Sequence, residues 1–350
     1  MHFSTSVVAG LVGALASMSL QAETPPSFRV GSIVAEAGQK ISGYLDVPDG
    51  VDEGTRLPIT IVHGTNAGPV LALIAGTHGY EYPPITALQQ VRRELDPADL
   101  SGTVLMVHVA NVPSFLGRTI YYSPVDGKNL NRVYPGDPSG TVSERIAHLL
   151  TTEVIGRADF MVDLHSGDGN EALRPYLYMG VTGNPELDDA TRGMALAFGI
   201  DHIVIDRAPP SSGPSIYTDQ TALDRGIPTI TTETGQLGSN DPLWVGMAER
   251  GVWNVLKHLE MVEGEVESHG EVVWLEGYQV VLSPANGIFQ AAVRDGYAIA
   301  EGGLLGVLLD FFGDPIQEIK APFAGVVNYV VGTPPVSAGE PVAMVSRIRR

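Results

Sequence analysis

The sequence predicts an α/β fold: a mixed, mostly parallel sheet with helices on both faces, followed by a small all-β domain. Strand-like apolar runs alternate with helical patterns from residue 50 to residue 262, an order typical of layered α/β domains. Runs such as VLALIA at residues 70–75 are apolar without alternation, as expected of strands covered on both faces. After residue 271, short valine-rich runs separated by Gly and Pro replace the helical patterns and indicate an all-β unit.

The elements of the layered part can be placed in order along the chain. The first helical stretch has apolar residues at helical spacing and begins with two prolines, which suit the first turn of a helix. Strands are expected at residues 70–75, 102–111, 158–166, 202–207 and 227–235. Helices are expected at residues 83–96, 141–155, 185–199 and 241–262.

The composition restricts the classes of function. The chain has 350 residues, a formal net charge of -19 and no cysteine. Such an acidic surface repels phosphate backbones and anionic lipid, which disfavours nucleic-acid binding and binding to a membrane surface. The lack of cysteine excludes disulfides, thiolate metal sites and cysteine nucleophiles. Any zinc site in this chain must therefore use histidine, aspartate or glutamate.

The first 22 residues are expected to form a secretory signal peptide. The stretch from Val7 to Leu20 is weakly apolar and too short for a typical membrane span. Ala22 is a small residue that suits cleavage. A frayed apolar leader is the alternative interpretation. Export implies a periplasmic or secreted protein with no stable membrane insertion after cleavage.

Polar side chains follow three of the predicted strands, in the segments GTHGYE, DLHSGDG and TTETG. Ligands of open α/β sheets bind at the carboxyl ends of the strands, so these segments are expected to meet. His78, Glu81 and His165 offer imidazole nitrogen and carboxylate oxygen, and three such ligands plus an open position form a catalytic zinc site. One zinc ion per chain is therefore expected. Taken alone, His78 and Glu81 also suit an ordinary turn in which the histidine bonds to nearby backbone.

Four motifs in this order resemble one known family: AGTHGYE, DGKNLNRVYPG, DLHSG and TTETG. The sequence resembles the succinylglutamate desuccinylase/aspartoacylase family, zinc hydrolases related to the metallocarboxypeptidases, over roughly residues 58–262. The resemblance implies a zinc-carboxypeptidase-like fold with zinc bound by the three residues named above. It also implies Glu233 as general base, and Asn131 and Arg132 as the residues that hold a substrate carboxylate.

Several roles remain open at this stage. Asp168 and Glu171 are rival bases to Glu233, and Asp163, two residues before His165 on a strand, is expected to support that ligand. Arg132 also suits a surface ion pair.

The sequence departs from the family pattern at one point. Family members often carry an arginine shortly before the DG turn that polarises the substrate carbonyl. Here Arg118 stands further from the turn, and Ile120, Tyr121 and Tyr122 occupy the nearer positions. Either Arg118 or a tyrosine hydroxyl is expected to take this role.

The remaining histidines lack a motif of this kind. His63 and His108 lie in strand contexts and are expected to be structural. No motif surrounds the other four, which are His148, His202, His258 and His269.

The domains expected from these observations are a signal peptide at residues 1–22, a zinc hydrolase domain at residues 23–265 and a small β-rich domain at residues 266–350. The last is a barrel or sandwich that follows an acidic linker at residues 262–271. In the family such a domain can lie over the active site and restrict large substrates.

The leading interpretation is a zinc-dependent hydrolase that cleaves the amide bond of an N-acyl amino acid or a similar small carboxylated substrate. Ester cleavage is compatible with the same activated water. The alternative is an exported metallocarboxypeptidase or amidase that acts on peptides, and a non-catalytic binding protein is a third interpretation. A small-molecule substrate is the expected partner, and a homo-oligomer is compatible with the sequence.

Overall fold

The computed structural model describes residues 25–207, 216–267 and 270–349. The expected signal peptide at residues 1–22 falls outside the described residues and stays a prediction. Within the described part of the chain, no helix is long and apolar enough to cross a membrane.

The layered part holds eleven strands and six α-helices among the described residues. The strands are β1 Phe28–Val30, β2 Ile33–Ala35, β3 Gln39–Val47, β4 Thr55–His63, β5 Asn66–Ala75, β6 Ser101–Val107, β7 Phe160–His165, β8 Glu171–Leu173, β9 Tyr176–Val181, β10 His202–Arg207 and β11 Thr229–Glu233. The helices are α1 Tyr82–Glu94, α2 Val112–Gly117, α3 Val142–Glu153, α4 Pro185–Phe198, α5 Thr218–Leu223 and α6 Pro242–His258. All predicted strands and helices of this part are therefore present.

These strands form a mixed sheet in the order β3-β4-β6-β5-β7-β11-β9-β10. The central strands β6, β5, β7 and β11 are parallel to one another, whereas β9 is antiparallel to β11. β7 therefore lies between β5 and β11, and all three strands end at the same edge of the sheet. The sheet order places the segments GTHGYE, DLHSGDG and TTETG side by side, as expected.

Helices cover both faces of this sheet. Leu71 and Leu73 of β5 pack with residues of α1, α4 and α6, whereas Ala72 and Ile74 pack with residues of α3 and α5. All four side chains have no exposed surface, which explains why β5 is apolar without alternation. The predicted α/β fold with helices on both faces is confirmed.

The C-terminal part is built from strands alone in the described residues. They are β12 Val273–Leu282, β13 Gly287–Ala291, β14 Ala298–Ile299, β15 Leu304–Leu309, β16 Pro315–Lys320, β17 Gly325–Val331, β18 Pro335–Val336 and β19 Pro341–Ile348. β12 runs parallel to β10 and antiparallel to β19, so the main sheet continues into this part. β16, β15, β13 and β18 form a separate four-stranded sheet. The all-β character is confirmed, while the domain boundaries at residues 265 and 266 stay predictions.

His108 belongs to the structural core, as expected of a histidine in a strand context. Its Nε2 atom lies 2.8 Å from Thr60 Oγ1, and the Arg92 side chain donates to the same hydroxyl. Burial, helped by the nearby Arg92 charge, lowers the pKa of His108 to about 4. The buried imidazole is therefore neutral at physiological pH.

This shift predicts a loss of stability in acid. Below pH 6.5 the unfolded chain binds a proton at His108 that the folded chain does not bind until about pH 4. The free energy of unfolding should therefore decrease by about 3 kcal/mol between these two pH values from this residue alone. Urea unfolding measures this free energy between pH 7.5 and pH 4. The free energy of unfolding of His108→Gln should decrease less over this range than that of wild type. An equal pH dependence of the free energy of unfolding in His108→Gln and wild type would contradict the role given to His108. The control is His258→Gln, a substitution on the surface.

Candidate active site

Three local devices bring the predicted metal ligands together. Gly76 follows β5 with a φ of 73°, a left-handed conformation that glycine adopts without strain, and the chain turns there toward His78. Glu81 is the N-cap residue of α1. His165 is the last residue of β7, which pairs with β5 in parallel register. The turn, the helix start and the neighbouring strand end therefore place all three side chains at one edge of the sheet.

The three side chains form a compact buried cluster. His78 Nδ1 lies 2.7 Å from Glu81 Oε1, and His165 Nδ1 lies 3.1 Å from the same oxygen. One ligand atom from each residue lies within 4.8 Å of the other two, and the exposed fractions are 8%, 2% and 2%. Glu81 Oε2 is also buried, and it lies 3.0 Å from His165 Nδ1. Two imidazole nitrogens and a carboxylate thus face one point, which is a donor set for a divalent cation.

Oxygen acceptors lie beside the outer nitrogens of both imidazoles. His78 Nε2 lies 3.1 Å from Asn129 Oδ1, which also accepts a hydrogen bond from the backbone N–H of Asn131. His165 Nε2 lies 3.1 Å from Asp163 Oδ2. An acceptor at Nε2 favours the tautomer whose Nδ1 lone pair faces the centre, the arrangement in which histidine binds a metal. Asp163 lies where the sequence predicted it, whereas Asn129 was not predicted.

Charge inside the cluster is balanced when no cation is bound. Burial alone would lower the pKa of His165, but Glu81 and Asp163 raise it well above its usual value. Against the effect of burial, His165 and His78 lower the pKa of Glu81 to about 2. The carboxylate is therefore ionised and ready to bind a cation, which would displace the protons of the imidazoles.

Asn129→Ala should weaken metal binding without removing a ligand. The His78 ring would lose the acceptor at Nε2, and loss of such a supporting contact typically lowers metal affinity about 10- to 100-fold. Competition with a chromophoric chelator measures the dissociation constant for zinc. Asn66→Ala, at an exposed position of β5, is the control and should bind zinc as wild type does. Wild-type affinity in Asn129→Ala would show that Asn129 does not orient His78.

Glu233 lies beside the cluster at the end of β11. It pairs in register with His165 of β7, and its Oε2 atom is buried without a hydrogen-bond partner among the described residues. Burial, only partly offset by His165, raises the pKa of Glu233 well above its usual value. A cation bound nearby would favour the ionised form. A carboxylate with a free oxygen and a raised pKa is suited to accept a proton.

The two rival carboxylates are occupied by structural hydrogen bonds. Asp168 accepts hydrogen bonds from the backbone N–H groups of Tyr121 at 2.8 Å and Gly169 at 2.7 Å. Glu171 accepts from the Tyr121 hydroxyl at 2.9 Å and from the backbone N–H of Asp168 at 3.0 Å. These contacts hold the Tyr121 loop against the site and engage both rival carboxylates, whereas Glu233 Oε2 has no hydrogen-bond partner among the described residues.

Comparison with known proteins identifies the family. The family model for the succinylglutamate desuccinylase/aspartoacylase catalytic domain matches residues 67–259. The chain belongs to this family. It is 30% identical over 335 residues to an N-alpha-acetyl-L-2,4-diaminobutyric acid deacetylase of Halomonas elongata, across 92% of this chain and 96% of that relative. Together these likenesses show a hydrolase of the deacylase type.

Solved structures of family members share the whole architecture. A succinylglutamate desuccinylase/aspartoacylase from Rhodobacter sphaeroides has a TM-score of 0.81 and 28% identity, covering 92% of this chain and 100% of that chain. The product-bound ectoine utilization protein EutE (DoeB) from Ruegeria pomeroyi has a TM-score of 0.82 and 27% identity, covering 93% of this chain and 100% of that chain. The desuccinylase/aspartoacylase likeness therefore extends through the C-terminal strands.

The residues expected to hold the substrate carboxylate lie next to the start of α5. Asn131 Oδ1 accepts hydrogen bonds from the backbone N–H and the hydroxyl of Thr218, both at 2.9 Å. The exposed Arg132 guanidinium lies 4.6 Å from the centre of the Tyr217 ring. Arg132 forms no ion pair among the described residues, so the surface ion pair considered for it is absent there.

The two candidates for polarising the carbonyl differ in their surroundings. Tyr121 packs edge-on against His78, with ring centres 5.9 Å apart, and its hydroxyl donates to Asn170 and Glu171. Arg118 is exposed and has no ion pair among the described residues. The Tyr121 hydroxyl is therefore engaged, whereas the Arg118 guanidinium is available for a substrate.

The C-terminal strands contact the segment that follows His165. β17 pairs with β8, and the backbone N–H of Gly332 donates to the Asn170 carbonyl at 2.8 Å. Tyr329 of β17 is buried. Its burial, together with the charges of Glu171 and Glu233, raises the pKa of its hydroxyl. This part of the chain therefore forms a wall near Glu233.

Proposed function

We propose that this protein is a zinc-dependent deacylase that hydrolyses the amide bond of a small N-acyl amino acid. One observation carries the proposal: a carboxylate with a free oxygen, that of Glu233, lies beside the buried His78, Glu81 and His165 cluster. The named activity of the Halomonas elongata relative supports an acetyl group and a diaminobutyrate product. Nα-acetyl-L-2,4-diaminobutyrate is thus the first substrate to test.

The donor set of the cluster fits zinc. Two imidazoles and one carboxylate are the protein ligands of a typical catalytic zinc site, and an open position remains for water. Bound zinc supplies Lewis-acid activation of the attacking water and of the scissile carbonyl. The Glu81 carboxylate is buried beside both imidazoles, and it supports a cation at this point because a buried ionised carboxylate is costly without a positive partner.

Glu233 moves the proton in this proposal. Its carboxylate accepts a proton from the attacking water while the new C–O bond forms at the acyl carbon. The same carboxyl group then gives this proton to the amide nitrogen as the C–N bond breaks. The immediate products are a carboxylic acid and an amine, which ionise at neutral pH to a carboxylate and an ammonium, so atoms and charge balance without any further reactant.

The substrate is oriented by groups on the other side of the site. Arg132 grips the α-carboxylate through two parallel hydrogen bonds, which a guanidinium provides and an ammonium does not. Asn131 anchors this segment to Thr218 and fixes the position of Arg132. Arg118 polarises the acyl carbonyl, since the Tyr121 hydroxyl is engaged by Asn170 and Glu171.

Amine release from a mixed panel tests the proposed function. The panel contains N-acyl amino acids with different acyl groups and short peptides with free carboxyl termini. Release from the N-acyl amino acids by zinc-loaded protein, and none by His165→Ala, is the expected result. Release from peptides alone would overturn the proposal and favour a metallocarboxypeptidase. Export to the periplasm is a further proposal, which rests on residues 1–22 alone.

A further inference from the structure

The Tyr121 loop, residues 118–121, begins and ends with a residue in the left-handed conformation. Arg118, at the end of α2, has a φ of 51° and a ψ of 57°, and Tyr121 has a φ of 57°. Neither residue is a glycine, so each side chain crowds its own backbone in this conformation. Strained backbone of this kind persists only where the surroundings impose it. The contacts that impose it here lie on both sides of the loop.

One side of the Tyr121 loop packs on the turn that carries His78. Gly79 follows His78 directly, and a side chain at residue 79 would clash with backbone atoms of Thr119. The backbones of the turn and of the loop therefore touch, a close approach that glycine permits. Arg118 precedes Thr119 in the chain, so its backbone lies beside the turn that carries a predicted metal ligand.

The other side of the loop is held through Tyr121. Its backbone N–H donates to Asp168 Oδ2 at 2.8 Å. Its hydroxyl lies 2.9 Å from Glu171 Oε1 and 3.0 Å from Asn170 Oδ1. Its ring packs edge-on against His78, with ring centres 5.9 Å apart. Tyr121 therefore joins the loop both to the turn after β5 and to the segment that follows β7.

The hydrogen-bond partners of Tyr121 are themselves fixed by backbone contacts. The backbone N–H of Asp168 donates to Glu171 Oε2 at 3.0 Å. The backbone carbonyl of Asn170 accepts a hydrogen bond from the N–H of Gly332, in the C-terminal part, at 2.8 Å. These acceptors are in place before any substrate binds. Groups supported in this way can hold a functional side chain in one productive position.

We propose that Tyr121 is a positioning residue that acts through Arg118. It holds the Tyr121 loop in its left-handed conformation against the candidate metal centre, so that the Arg118 guanidinium meets the acyl carbonyl of the substrate. This inference rests on the proposed function, in which Arg118 polarises that carbonyl. Two residues separate Tyr121 from Arg118 in the chain, so release of Tyr121 would free the Arg118 backbone to leave its strained conformation. A displacement of about 1 Å at such a group can cost about 10²-fold in rate.

The proposal gives separate roles to the two residues that the sequence left open for the carbonyl. Arg118 contacts the substrate, whereas Tyr121 orients Arg118 and contacts no reacting atom. The carbonyl oxygen gains negative charge in the transition state, so a misplaced guanidinium weakens binding of the transition state more than binding of the substrate. Loss of the Tyr121 hydroxyl should therefore lower kcat and leave KM almost unchanged.

A double-mutant cycle on the zinc-loaded full chain tests the proposal, with an N-acyl amino acid that the panel identifies as substrate. Tyr121→Phe keeps the ring against His78 and removes the hydroxyl, so we expect kcat to fall about tenfold or more at an almost unchanged KM. Arg118→Ala should lower kcat about 10²- to 10³-fold, the usual cost of removing a group that stabilises the developing oxyanion. If Tyr121 acts through Arg118, Tyr121→Phe should cause no further loss in the Arg118→Ala background, because residues that act as a unit are not additive.

Three results would overturn the role given to Tyr121 while leaving the deacylase function standing. The first is an equal loss from Tyr121→Phe in the wild-type and Arg118→Ala backgrounds, and the second is no loss in either. The third is loss of zinc from Tyr121→Phe, measured by elemental analysis, since this would place the effect on His78 instead of Arg118. No amine release by the wild-type protein would overturn the proposed function as well.

Further variants separate positioning from folding. The free energy of unfolding of each variant shows whether the fold is retained. Tyr297→Phe, which removes an exposed hydroxyl in the C-terminal part, should leave kcat and KM unchanged. If Tyr121→Phe does not fold, Glu171→Gln takes its place in the cycle, because it weakens the acceptor of the Tyr121 hydroxyl. Its smaller loss in kcat should again be absent in the Arg118→Ala background, and an equal loss in both backgrounds would overturn the proposal.

Discussion

Glu233→Gln is expected to retain bound zinc and to lose about 10²- to 10⁴-fold in kcat, the usual contribution of a general base. The amide keeps the shape of the side chain at the end of β11 but cannot accept the proton of the attacking water. Because Glu233 is not one of the three clustered ligand candidates, the metal content should stay near that of wild type. Elemental analysis and steady-state kinetics on one preparation measure both quantities.

The controls for this prediction separate the base from its rivals. Glu171→Gln should show a smaller loss, because Glu171 supports Tyr121 rather than facing the attacking water. Glu186→Gln, exposed in the first turn of α4, should behave as wild type. Near-normal turnover in Glu233→Gln together with a collapse in Glu171→Gln or Asp168→Asn would move the base assignment to that residue.

His165→Ala is expected to lose both zinc and hydrolysis. Two protein ligands would remain where a catalytic zinc site needs three, and Glu81 would lose a buried counter-charge. Turnover should fall at least as far as on removal of the base, about 10²- to 10⁴-fold. Dialysed protein should contain far less than one zinc per chain by elemental analysis.

Two controls separate loss of the metal ligand from loss of folding in His165→Ala. The free energy of unfolding of His165→Ala and of wild type should be compared after metal removal, so that any loss of folding is seen directly. His258→Ala, at the exposed end of α6, should retain zinc and turnover. Full activity in folded, zinc-free His165→Ala would contradict the metal assignment.

The features that could be predicted from the sequence are those encoded in short, continuous segments of the chain. VLALIA identifies β5 because its residues are buried on both faces. His78, Glu81 and His165 lie in short motifs directly after strands, so the rule that ligands bind at strand ends was enough to bring them together. The fold class and these neighbours could therefore be predicted.

Features that depend on long-range contacts were missed. Asn129 lies 51 residues from His78 in the chain, and only the folded loop brings its oxygen to that ring. The segment YLYMGV of β9 contains two tyrosines and a glycine among its apolar residues. β9 pairs antiparallel to β11, and local periodicity does not encode such a pairing. α5 has six residues, too few for a helical pattern, and Thr218, which bonds to Asn131, lies within it.

In the C-terminal part, too, the sequence predicted the strands but not their long-range pairing. Its valine-rich runs predicted strands correctly, but not that β12 pairs with β10 and continues the main sheet. Leu275 of β12 is completely buried, so removing every residue after 267 would strip a strand from the sheet. Single substitutions near Tyr329 are therefore a cleaner way to probe the wall beside Glu233.

The central claim is tested most directly by zinc titration of chelator-treated protein, with amine release from Nα-acetyl-L-2,4-diaminobutyrate as the readout. Activity should be absent without metal, rise linearly with added zinc and level off at one zinc per chain, in agreement with the single cluster found in the described residues. Undiminished amine release from protein shown to be metal-free would contradict a zinc-dependent deacylase.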